Sequence, residues 1–116
     1  MTLSEIVSML EESDIPIAYR SFDVDNAPAP PFICYLFPNN NPEFADDSNY
    51  AKIEELDIEL YTDQKDFELE NKIEAILNKY ELPFTREETW INEERMQMTI
   101  FITEVLIDGE QDPVRT

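Results

Sequence analysis

Carboxylates are the only reactive groups this chain holds in quantity. Its 116 residues include 27 Asp and Glu against 8 Lys and Arg, a formal charge of -19, with no His, one Cys and one Gly. Without histidine there is no imidazole general base, no Ser-His-Asp triad and no His-ligated zinc. Gly109 stands alone near the C-terminal end, so no glycine-rich phosphate loop can form. Cys34 has no sulfur partner and no His to activate it, and it lies in the apolar run Pro31–Phe37. It reads as a small buried hydrophobe in a reducing compartment.

Three carboxylate patterns have the density or spacing of a site. Asp23-Val24-Asp25-Asn26 has the opening of a calcium loop but lacks the glycine at its sixth position and the Glu at its twelfth. It reads as a solvated turn. A glycosidase needs only two acids, but among 27 of them two neighbours carry little information. Glu54, Glu55, Asp57 and Glu59 are dense enough to suggest a metal. On a strand, however, Glu55, Asp57 and Glu59 form a linear row about 6.6 Å apart along one face. That geometry suits a solvated or partner-facing stripe better than one coordination shell. No catalytic, cofactor or metal residue is assigned, and the chain is expected not to be an enzyme.

The elements that would position this stripe can be read along the chain. Thr2-Leu3-Ser4-Glu5 has capping-box form, and Leu3, Ile6, Val7 and Leu10 follow helical spacing. A helix is expected over 3–13, ended by Asp14 and Pro16. Residues 15–22 read as a strand, 23–31 as a turn-rich segment, and 32–37 as a buried strand closed by Pro38. Residues 39–49 form a long polar loop. In 50–62, Leu56, Ile58 and Leu60 alternate with Asp57, Glu59 and Tyr61, giving one apolar and one acidic face. Asp63 is the expected cap of a helix over 65–80, whose Leu69, Ile73, Ile76, Leu77 and Tyr80 make an amphipathic stripe. A strand over 85–92, a hairpin turn over 92–95 and a final strand from Met96 complete the pattern. In that last strand Met96, Met98, Ile100 and Ile102 are read as facing the helices. This would turn Glu104 inward unless a bulge or strand end near Thr103 intervened.

The order α-β-β-β-α-β-β defines one α+β domain over 1–116, with a tail fraying from about 108. Two helices on one face of a largely antiparallel sheet of about five strands would leave the other face bare. Tyr61, Trp90 and Phe101 are placed on that bare face and read as an oligomer interface. The alternative is that loop 39–49 folds back over them.

Charge narrows the partners. A surface this acidic repels the phosphate backbone and argues against conventional nucleic-acid binding. It would nevertheless suit a channel through which DNA slides without sticking. Residues 1–10 carry acid and no basic segment, unlike a signal peptide. No apolar stretch approaches the roughly 18–20 residues of a membrane span. A soluble protein made in a cytoplasm is expected.

Pro31-Phe32-Ile33-Cys34-Tyr35-Leu36-Phe37-Pro38, the Asn/Asp-rich loop after it, Ile58-Glu59-Leu60-Tyr61-Thr62-Asp63 leading into an acidic helix, and the opening helix followed by Pro16-Ile17-Ala18-Tyr19 carry a resemblance. Together they resemble the small tail-completion proteins (tail-terminator or head–tail joining group) of long-tailed phages and prophages of Gram-positive bacteria. The likeness runs over about 2–105 in segment order, length and short phrases, with no fixed motif, so no functional residue transfers one by one.

The resemblance implies a ring, often a hexamer, that caps the tail tube and presents a surface to the head connector. It implies an α+β fold, no enzymatic activity and no cofactor. DNA would be passing cargo, and the protein would be found in the host cytoplasm during assembly and then in the virion. On this reading Glu55, Asp57 and Glu59 face the lumen or a basic neighbour. Phe44, Asp46, Asp47 and Tyr50, from the loop and the residue that follows it, reach the adjacent subunit or partner. The competing expectation, from charge alone, is an acidic DNA-mimic inhibitor or another protein-interaction module.

Overall fold

A computed structural model of the chain describes residues 1–39 and 52–108. In chain order the elements are α1 (Leu3–Glu11), β1 (Ile17–Tyr19), a 3-10 turn (Val24–Asn26), β2 (Phe32–Leu36), β3 (Lys52–Thr62), α2 (Phe67–Lys79), β4 (Phe84–Ile91) and β5 (Met96–Ile107). The strands form one five-stranded sheet in the order β1-β2-β3-β5-β4. Every neighbouring pair is antiparallel except β1 and β2, which run parallel. This is the α+β arrangement that the segment order dictates.

Local chemistry fixes the helix ends. The Thr2 hydroxyl accepts from the Glu5 amide at 3.0 Å, and the Glu5 carboxylate accepts from the Thr2 amide at 2.8 Å, closing the capping box. At the start of α2 the cap is Asp66, which accepts from the Leu69 amide at 3.0 Å, in place of the expected Asp63. The C-terminal end of α2 is a Schellman turn, in which the Leu82 amide donates to the Leu77 carbonyl at 2.9 Å and the Glu81 amide to Asn78 at 3.0 Å. Glycine usually fills the left-handed position of such a turn. Here Glu81 holds it at φ 60°, and Asp14, Arg20 and Arg95 take positive φ as well. Residues 92–95 close the β4–β5 hairpin, with the Arg95 amide donating to Asn92 at 3.2 Å.

The core is a single layer between the helix pair and one face of the sheet. Ile6, Met9 and Leu10 of α1 and Ile73, Ile76 and Leu77 of α2 meet Ile33, Leu56, Ile58, Leu60, Phe101, Val105 and Ile107, each 8% exposed or less. Both helices therefore cover the same face. At about 25 cal/mol per Å² of apolar surface, burial of such side chains is the main force holding the layers together.

β5 sits in the opposite parity from that expected. Its register places Phe101 opposite Ile58, Thr103 opposite Leu56 and Thr99 opposite Leu60, so these residues share the helix-covered face. Met96, Met98, Ile100 and Ile102 point to the other side. The strand runs unbroken to Ile107 with Glu104 exposed, so no bulge is needed to keep that carboxylate out of the core.

Candidate functional site

The sheet face that neither helix covers is the candidate site, and the registers show what stands on it. Strand β3 contributes Ile53, Glu55, Asp57, Glu59 and Tyr61. Directly opposite them on β5 are Leu106, Glu104, Ile102, Ile100 and Met98. The result is an acidic stripe running beside an aliphatic one. Glu59 is flanked by Cys34 of β2 and Ile100 of β5, and Asp57 by Leu36 and Ile102. The far strand β4 adds Thr85, Glu87 and Thr89.

One part of this face is covered from within the chain. Parallel neighbours cannot be joined by a tight turn, so residues 20–31 cross over between β1 and β2. Phe22 of this crossover packs edge-on against Phe32 with ring centroids 5.3 Å apart, and Phe32 stacks on Tyr61 at 5.0 Å. Tyr61 thus stands on the predicted face but is half-buried in an aromatic stack. Its hydroxyl donates to Glu59 Oε1 at 2.9 Å. Burial, that hydrogen bond and the Glu59 charge all push the phenol well above its ordinary value.

The stripe is electrostatically strained at its centre. Oδ1 of Asp57 is buried and has no hydrogen-bond partner among the described residues. Desolvation first, then a proton shared with Glu55 and the negative charges of Glu55, Glu59 and Glu87, push the Asp57 carboxyl up to about 7. Beside it Cys34 is 4% exposed, and burial together with the Glu59 charge raises its thiol to about 11. A thiol held protonated in this way is no nucleophile at neutral pH. Among the described residues, no group of three or more carboxylates or thiols converges on a geometry that could hold a metal ion. No helix among them is long and apolar enough to cross a membrane.

Two of the three aromatics assigned to the bare face lie elsewhere. Phe101 is fully buried in the core, edge-on to Phe84 at 5.9 Å. Trp90 is 47% exposed, but it pairs with Gln97 and so belongs to the helix-side parity, near the hairpin end of β4. The cause is the one-residue parity change in β5, which carries its hairpin partner β4 with it. Met98, Ile100 and Ile102 occupy the open face in their stead. Glu55, Asp57 and Glu59 do form the expected row on one side of β3. Phe44, Asp46, Asp47 and Tyr50 lie outside the described residues.

A second polar cluster, on the covered face, was not foreseen. Glu70 of α2 has no exposed surface. Its carboxylate accepts from Lys65 Nζ at 2.8 Å and from the Thr99 hydroxyl at 3.1 Å, and it lies 3.5 Å from Arg86. Lys65 also bonds Glu88 at 2.9 Å, Gln97 donates to Glu88 at 2.7 Å, and Arg86 donates to Glu74 at 2.7 Å. The network pins α2 to β4 and β5. The only sequence signal was that Glu70 directly follows Leu69 on the apolar side of the helix, one step from the core stripe.

Comparison with known protein families, curated proteins and solved structures gives no match to this chain.

Proposed function

We propose that this chain is a structural virion-assembly protein, a tail terminator or head–tail joining component that forms a ring at the end of a phage tail. The observation that carries the reading is the sheet face that neither helix covers, where, among the described residues, the stripe Glu55, Asp57, Glu59 runs beside the half-buried Met98, Ile100 and Ile102. An aliphatic strip of this kind gains by being covered, and a flanking acidic row selects a basic neighbour or, turned to a lumen, keeps passing DNA from adhering. The α+β fold with both helices on one side agrees with what the resemblance implies. The partners are copies of the chain itself, the tail-tube protein and the head connector, with no cofactor.

The aliphatic half of the face argues against the competing reading as an acidic mimic of DNA. A mimic presents carboxylates to a basic groove and loses affinity steeply with salt. Sedimentation and light scattering of the chain, alone and with a tail-tube protein from a long-tailed phage of Gram-positive bacteria, test the proposal. Ring-sized assemblies that form with tube protein and resist salt are expected. A strict monomer under both conditions, or binding to a DNA-binding protein that vanishes with salt, would overturn it.

A further inference from the structure

We infer that β4 is a self-complementary edge through which two copies of the chain pair antiparallel, joining their sheets into one of ten strands. The inference does not rest on the tail-assembly reading and uses a different surface. In the strand order β1-β2-β3-β5-β4 the two edges are β1, only three residues long, and β4, which has eight. Among the described residues no strand pairs with the outer side of β4. Natural edges of this length are usually guarded by proline, a bulge or charged side chains, lysine above all, and β4 uses charge alone, in Arg86, Glu87 and Glu88. Phe84-Thr85-Arg86-Glu87-Glu88-Thr89-Trp90 contains no proline or lysine, and its pairing with β5 is regular.

What specifies a second copy is the order of these side chains. A two-fold axis perpendicular to the sheet at Glu87 sets Arg86 of each chain opposite Glu88 of the other. The same axis sets Phe84 opposite Trp90 and Thr85 opposite Thr89. Facing residues then come from the same side of both sheets, so the two helix layers lie on one face of the joined sheet. Opposite charges, an aromatic pair and a threonine pair are the cross-strand combinations that stabilise antiparallel strands. Trp90 is exposed in the single chain; Arg86 and Glu88 are exposed too but already bonded within it, to Glu74 and to Lys65 and Gln97, so a cross-strand Arg86–Glu88 pair would share these groups with the network that holds α2. Only Glu87, facing itself, opposes the pairing, and the overall charge of -19 on each copy makes it sensitive to salt.

Sedimentation equilibrium of the full chain in about 0.3 M salt, where charges beyond a few ångströms are screened, reads the association. Because Glu87 and Trp90 are exposed, Glu87→Thr, Glu87→Lys and Trp90→Lys should leave the circular dichroism spectrum unchanged. Glu87→Thr is expected to tighten the dimer about two- to fivefold, the value of one like-charge pair across strands. Trp90→Lys is expected to weaken it. The decisive sample mixes Glu87→Lys with wild type: a Lys–Glu contact at the axis makes the heterodimer tighter than either parent. Monomers throughout, or a dimer indifferent to residue 87 and no tighter in the mixture, would overturn the inference. The ring test above turns on tube protein, so either reading can fail without the other.

Discussion

Asp57 carries the largest unrelieved electrostatic cost of any residue on the open face. A carboxyl raised from 3.8 to about 7 binds its proton more tightly in the folded than in the unfolded chain. Folding is therefore unpenalised below the unfolded value, becomes less favourable as pH rises between the two, and stays at the lower level above about 7. Asp57→Asn should raise stability by about 1 kcal/mol at pH 8, after allowance for partial solvation, and flatten the pH 4–7 slope. Thermal melts across that window would show it, and an unchanged slope would count against the carboxylate strain. Cys34 makes a simpler case: buried and protonated, it should react with a thiol reagent at pH 8 at roughly a hundredth or less of the rate in urea. Its partner Glu59 is visible in the sequence only as a member of a charged row. Nothing in residue spacing tells that β2 brings a sulfur against it.

At the level of elements, two features decide how the helices hold the sheet. The first is the buried carboxylate of Glu70, which ties α2 to Lys65, Arg86 and Thr99. Glu70→Ala should cost about 3 kcal/mol, because it leaves two cations and a hydroxyl without their acceptor, and Glu70→Gln roughly half of that. Urea unfolding with an unchanged m-value would confirm that the loss is one of stability alone. The second is the C-terminal turn of α2, where a glutamate sits in glycine's conformation. Glu81→Gly should relieve that strain and add about 0.5 kcal/mol, since the gain in the folded state is partly offset by a more flexible unfolded chain.

Element types were legible because their signals are local. The capping box at Thr2, the amphipathic stripe of Ile73, Ile76 and Leu77, and the alternation along β3 all stand as read. The parity of β5 was not, since the side richer in apolar residues, Met96, Met98, Ile100 and Ile102, faces away from the helices, while Thr99 and Thr103 face them. A clue was nonetheless present: the assumed facing put Glu104 in the core and demanded a bulge, whereas the other facing needed none. A regular strand that exposes its acid is the less costly reading.

Across the whole molecule, a sheet covered by helices on one side gives it two dissimilar surfaces. The open face mixes charge with aliphatic groups, and among the described residues no strand pairs with the outer side of β4. Charge reversal should separate them. Replacing Glu55 and Glu59 by lysine ought to abolish the proposed assembly with tube protein while leaving the proposed β4 pairing within about twofold, because distant sites act independently. Cosedimentation with tube protein and equilibrium sedimentation of the free chain read the two effects, and loss of both would mean that the surfaces are coupled.

Taken alone, the sequence determined the number and kind of elements, the acidic row on β3 and the absence of imidazole chemistry, because these follow from residue type and from periods of two and 3.6. Only the tertiary structure decided which side of β5 meets the helices, that Phe101 is core and Trp90 is not on the open face, and that Glu70 lies buried between two cations. Those outcomes depend on register between strands far apart in the chain, and a shift of one residue exchanges every inward and outward side chain. Within β5 the local signals conflict, the acid at Glu104 favouring one facing and the run of Met and Ile residues the other, and only pairing with β3 resolves them.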